Sequence, residues 1–82
     1  DLGALKLALR AAKEGGGMPT VFNAANEEAV AAFLKGKTGY LNIAELIEYA
    51  MDTAGEMRSD SLGEILEIER TAREHVKKKI GL

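Results

Sequence analysis

The chain is 82 residues long, 46% hydrophobic and 29% charged, with a formal net charge of -2 and no cysteine. Its length sits near the lower limit for one self-sufficient hydrophobic core, and its composition is that of a folded domain rather than a disordered segment. Disulfides and thiolate metal sites are excluded, and the charge balance gives no electrostatic support to a nucleic-acid or acidic-membrane partner.

The longest apolar run, 29–34, is too short to span a bilayer, and the amino end has no signal-peptide pattern. A soluble, unexported protein is the expectation.

The first segment places Leu2, Leu5, Leu9 and Ala12 at helical spacings of three and four, flanked by Ala4, Ala8 and Ala11. This predicts a helix over 2–14 with that leucine stripe facing inward and Asp1 favouring its start. Gly15, Gly16 and Gly17 end it. Three glycines can cradle phosphate, but no strand precedes these and no lysine-serine or lysine-threonine pair follows, so they read as a helix-helix connector.

Pro19 is tolerated in a first helical turn, where its missing N–H has no intrahelical acceptor to lose. A second helix is predicted over 20–35, stopping at Gly36 with Lys35 and Lys37 near the negative end of its dipole. It is alanine-rich, with Phe22, Val30, Phe33 and Leu34 supplying volume. Asn23 and Asn26 interrupt it, and asparagine competes for backbone hydrogen bonds in helix interiors, so both amides call for partners. Those partners are either backbone groups inside the bundle or another domain. Tyr40 and Leu41 are expected to tuck under the bundle.

Asn42 and Glu45 stand at capping-box spacing before a third helix over 43–54, with Ile43, Leu46, Ile47, Ala50 and Met51 as its apolar stripe. Gly55 stops it and 56–60 reads as a loop. Ser61 and Glu64 repeat the capping-box spacing before a fourth helix over 62–79. Its inward face would carry Leu62, Ile65, Leu66, Ala72, Val76 and Ile80, with Ile68 off to one side. Glu69 with Arg73 and Glu74 with Lys78 are spaced to pair on the solvated face. The reading is a single all-α domain over 1–82, a small up-and-down four-helix bundle.

No chemistry-bearing constellation accompanies these helices. A di-metal bundle site needs Glu-x-x-His pairs, and the one histidine, His75, has Ala72 three positions before it. Its charged neighbours Arg73, Glu74, Lys77 and Lys78 make it a surface histidine. Glu45 and Glu48 are explained by capping and solvation, Ser59 and Ser61 by a loop and a cap, and Met18, Met51 and Met57 by core packing. Three classes stay open on these residues: a domain that supports another domain, a free-standing interaction module presenting a small-residue groove, and a bundle binding an apolar ligand in its core.

The run Asn23-Ala24-Ala25-Asn26-Glu27, continued by Ala29-Val30-Ala31-Ala32-Phe33-Leu34, Gly39-Tyr40-Leu41-Asn42-Ile43 and Glu69-Arg70-Thr71-Ala72-Arg73-Glu74, resembles the carboxy-terminal domain of the 1-deoxy-D-xylulose 5-phosphate reductoisomerases. Ala4-Leu5-Lys6-Leu7-Ala8, the three glycines and Pro19 match the start of that domain, so the resemblance covers essentially the whole chain. It implies a parent enzyme that uses NADPH and a divalent metal, Mg or Mn, to convert 1-deoxy-D-xylulose 5-phosphate into 2-C-methyl-D-erythritol 4-phosphate in isoprenoid biosynthesis. It also implies a dinucleotide-binding domain and a central catalytic domain as partners, a homodimeric parent, and a cytoplasmic or plastid location. No catalytic, cofactor-binding or metal-binding residue transfers to this chain, which is expected to be inactive alone. Asn23, Asn26 and Glu27, within the resembling run, become candidates for contacts between domains.

Overall fold

A computed structural model describes residues 2–82, and the capping role expected of Asp1 lies outside them. Four helices follow one another: α1 (Leu2–Glu14), α2 (Met18–Leu34), α3 (Ile43–Thr53) and α4 (Leu62–Ile80), with a 3-10 turn, Tyr40–Asn42, leading into α3. Among the described residues there is no strand. The expected all-α bundle is therefore what forms.

The helices alternate in direction. The starts of α1 and α3 share a hollow lined by Gly3, Lys6, Ala44 and Glu45 and Arg10 reaches Asp52 at 2.9 Å near their ends, which sets α1 parallel to α3; the ends of α2 and α4 share a hollow lined by Ala31, Lys35, Lys77 and Leu82, which sets α2 parallel to α4. α2 and α3 form the central pair, α1 and α4 each pack on both, and α1 and α4 do not form a packed pair with one another. The result is a flattened bundle, 36 × 26 × 17 Å.

The core is continuous and lies around the central pair. α3 buries Ile43, Leu46, Ile47, Ala50 and Met51, the stripe its periodicity predicts. α2 buries Met18, Val21, Ala24, Ala25, Ala29 and Ala32. Four alanines on one helix face let neighbouring backbones approach, and the larger Ile47, Met51, Val21 and Val76 fill the space between. Phe22, Val30 and Phe33 pack at the margin of that core, whereas Leu34 is exposed.

Two apolar stripes are not the ones expected. On α1 the buried residues are Leu7 and Ala11, while Leu2, Leu5, Leu9 and Ala12 face outward. α1 approaches α2 and α3 through its smaller residues with Leu7 as the single large knob, because the alanine-rich side permits the closer helix-helix distance. On α4 Ile68, Ala72 and Val76 form the buried line, and Leu62 and Leu66 are exposed. α3 ends near the level of Ile68, with which Ala54 shares a cavity wall, so the first turn of α4 has no helix of the central pair beside it.

Helix ends follow local chemistry more closely. α2 begins at Met18, earlier than 20, with Pro19 in its first turn and no side-chain cap. It closes through Gly36, whose φ of 74° lets Gly36 N–H donate to the Phe33 carbonyl at 2.9 Å and Lys37 N–H to the Ala32 carbonyl at 2.9 Å. Asn42 does not cap α3: the preceding 3-10 turn already holds it in helical geometry, so its side chain has no role there. Ser61 does cap α4, its Oγ accepting from Glu64 N–H at 3.1 Å. Glu64 reaches back one residue further than a capping box requires, accepting from Asp60 N–H at 3.0 Å.

Tyr40 and Leu41 are exposed rather than tucked under the bundle, although the Tyr40 ring meets Phe33 edge-on at 5.7 Å. The short 3-10 turn leaves them on the outside. At the opposite end, a Cβ placed on Gly17 would lie 2.6 Å from Met57 Cγ and Sδ and 2.8 Å from Ile68 Cδ1. Glycine there lets the loop carrying Met57 lie close over the turn between α1 and α2, where a side chain would push the ends of Met57 and Ile68 aside.

Candidate functional site

The three residues singled out in sequence share one helix but not one environment. Asn23 is exposed, Asn26 is half-buried, and neither amide has a side-chain hydrogen bond among the described residues. Backbone groups inside the bundle are thus not their partners. Glu27 is engaged within the chain: Arg73 of α4 donates to its carboxylate at 2.5 Å and approaches Glu28 at 3.7 Å. The hydrogen bond to Glu27, and after it the nearby charges of Glu27, Glu28 and Glu69, holds the Arg73 guanidinium above its ordinary pKa. Arg73 therefore ties α4 to α2 instead of pairing with Glu69 along its own helix.

Other charged clusters are structural. Arg10, held above its ordinary pKa chiefly by Glu14 and then by Asp52, links α1 to α3. Arg70 bridges Glu67 and Glu74 on α4, so Glu74 is paired with Arg70 rather than with Lys78. Glu67 sits below its ordinary pKa because Arg70 donates to it. Lys79 Nζ lies 4.9 Å from the centre of the Tyr49 ring, a cation-π contact between α4 and α3. All of these are exposed or half-exposed, where an ion pair contributes about 0–1 kcal/mol.

His75 is not a simple surface histidine. It stands one residue before Val76 on the shoulder of the buried line of α4, so its Nδ1 is enclosed and has no hydrogen-bond partner in the structure. It borders a cavity of about 200 Å³ walled by Val21, Ala50, Met57, Ile68 and Ala72. That volume falls below the roughly 300–1,000 Å³ of small-molecule sites, and a dinucleotide does not fit it. No group of three or more His, Asp or Glu residues among the described residues is placed to hold a metal ion. No helix of the described residues is long and apolar enough to cross a membrane.

What distinguishes the surface is apolar. Leu2, Leu5 and Leu9 on α1, Leu34 at the end of α2, and Tyr40 and Leu41 before α3 are all exposed. Periodicity in α1 detects the leucines but not which of two stripes turns inward. Exposure of Tyr40 and Leu41 has no signal in the sequence, since both are ordinary core residue types.

Comparison with known proteins matches residues 2–75 to the family described as the DXP reductoisomerase C-terminal domain. The 1-deoxy-D-xylulose 5-phosphate reductoisomerase of Agathobacter rectalis is 47% identical over 75 residues, covering 92% of this chain and 20% of that protein. The corresponding protein of Geobacter sp. (strain M21) is 49% identical over 79 residues, covering 96% of this chain and 20% of the relative. The solved structure of the reductoisomerase from Zymomonas mobilis in complex with NADPH superposes with a TM-score of 0.89 at 40% identity, over 94% of this chain and 20% of that one. The chain thus spans about one fifth of the length of the relatives it matches. With a family match over residues 2–75 and a superposition over 94% of its length, the chain belongs to the DXP reductoisomerase C-terminal domain family.

Proposed function

We propose that these 82 residues act as the carboxy-terminal domain of a 1-deoxy-D-xylulose 5-phosphate reductoisomerase, and that their role there is structural: they dock on and support the domains that carry the chemistry. The observation that carries this reading is the match over residues 2–75 to a domain occupying one fifth of its relatives. NADPH, bound in the Zymomonas mobilis relative, and a divalent metal, Mg or Mn, belong to the other four fifths. So do the substrate contacts and the dimer interface. The 82 residues form one unit, work in the cytoplasm or a plastid, and engage neither nucleic acid nor membrane, in keeping with a net charge of -2.

Asn23 and Asn26 serve as polar contacts to the neighbouring domain, since amides at or near the surface without partners in their own chain are free to hydrogen-bond across an interface. Glu27 fixes the α2 surface beside them through Arg73. A free-standing interaction module is not favoured, because the relatives carry this domain as a fifth of a longer chain.

The test compares two proteins in one assay. The longer polypeptide that contains these residues should oxidise NADPH with 1-deoxy-D-xylulose 5-phosphate and Mg, and the 82-residue chain should not. Turnover by the 82-residue chain above the protein-free rate would overturn the structural reading.

A further inference from the structure

The first helix is apolar on two opposite sides. Its inner side carries Leu7 and Ala11, 8% and 2% exposed, and its outer side carries Leu2, Leu5 and Leu9, 76%, 54% and 62% exposed. At 100° per residue the outer three fall within one narrow stripe directly across from the inner pair. A helix that is apolar on both sides is the pattern of a helix held between two layers. The bundle supplies only one of those layers.

The position of this stripe is equally specific. Because the helices alternate in direction, the start of α1, the end of α2, the start of α3 and the end of α4 share one end of the bundle. Six of the nine exposed large hydrophobics among the described residues lie at that end: Leu2, Leu5, Leu34, Tyr40, Leu41 and Leu82.

We propose that the outer stripe of α1, Leu2, Leu5 and Leu9, is the docking face for the segment of the same polypeptide that precedes this domain. The proposal rests on the reading that these residues are the carboxy-terminal fifth of a reductoisomerase, which places the other four fifths before Leu2. The occupant is then tethered at the very end of the bundle where the exposed apolar residues gather, and tethering replaces a bimolecular encounter by a high effective concentration. The area also fits. The three leucines offer roughly 300–400 Å² of side-chain surface, within the range of one side of an inter-domain contact and short of the ~800 Å² per partner of a stable dimer. A second copy of the chain is therefore the poorer occupant.

Single cysteines test it cleanly, since the chain has none of its own. Leu5→Cys and Glu56→Cys, the latter exposed at the opposite end, are made in the 82-residue chain and in the longer polypeptide. Thiol labelling is followed peptide by peptide by mass spectrometry. The expected result is that Leu5→Cys labels at least tenfold more slowly in the longer polypeptide than in the 82-residue chain, while Glu56→Cys keeps one rate in both. Equal rates at Leu5→Cys in the two proteins would overturn the docking face and leave the reductoisomerase reading intact. Slow labelling of the 82-residue chain that quickens on dilution would overturn it in favour of a second copy. Should these residues occur in no longer polypeptide, the reading beneath the proposal fails instead.

Discussion

Leu7→Ala and Leu5→Ala remove the same three carbons from the same helix and should have very different effects on the stability of the 82-residue chain. Leu7 is 8% exposed, so its truncation loses nearly the whole transfer energy, about 0.8 kcal/mol per carbon, and leaves a cavity that α1 can only partly close. A loss of about 2.5–3.5 kcal/mol follows, at the lower part of the range for buried leucines because α1 packs on only one side. Leu5 is 54% exposed, so less than half of its side chain leaves water on folding, and solvent occupies the space that truncation vacates. Its loss should be about 1 kcal/mol or less, and the slightly better helix propensity of alanine reduces it further. For a domain of this size 1 kcal/mol moves the Tm by about 4–8 °C, which puts Leu7→Ala about 10–28 °C below the wild type and Leu5→Ala no more than about 8 °C below it. Urea denaturation followed by circular dichroism gives both values from one instrument. Equal losses at the two positions, or a larger loss at Leu5, would refute the orientation of α1.

Two further outcomes follow from single contacts. Ser61→Ala removes the oxygen that accepts from Glu64 N–H and should cost about 1 kcal/mol, whereas Ser61→Asp should retain most of the stability; thermal melts of the two variants decide it. Arg70 holds Glu67 below its ordinary pKa, so the stabilising pair is complete above the unfolded value of about 4.5 and is lost as pH falls through the lower folded value. Arg70→Ala should raise the Glu67 midpoint in a carboxyl-detected NMR titration, and the stability gap between wild type and variant should close in acid; an unmoved midpoint would refute the pairing.

How much of this was legible in the sequence depends on how many stripes a helix has. α3 has one, and Ile43, Leu46, Ile47, Ala50 and Met51 are buried as their spacing predicts. α1 has two, and periodicity favours the one richer in leucine, whereas packing against an alanine-rich neighbour uses the smaller one. The residue types carry no information on what lies beyond the bundle, and it is that missing layer which makes leucine the better choice on the outside. On α4 the sequence could not reveal that α3 is too short to cover Leu62 and Leu66. The pairing of Arg73 with Glu27 rather than Glu69 has the same origin: both carboxylates are within reach of a long side chain, and only the position of α2 chooses. The run Asn23-Ala24-Ala25-Asn26-Glu27 was legible as a signature, but the environment of its amides was not.

The seat of Met57 on Gly17 gives the domain a direction. Through it the turn after α1 and the loop before α4, some forty residues apart in sequence, are brought together by a thioether packed against bare backbone. Oxidation of that sulfur to the sulfoxide would turn this apolar contact into a polar one and weaken it. The end of the bundle that carries Met57 thus holds a contact that an oxidant would weaken, and the cluster of exposed leucines at the other end offers none.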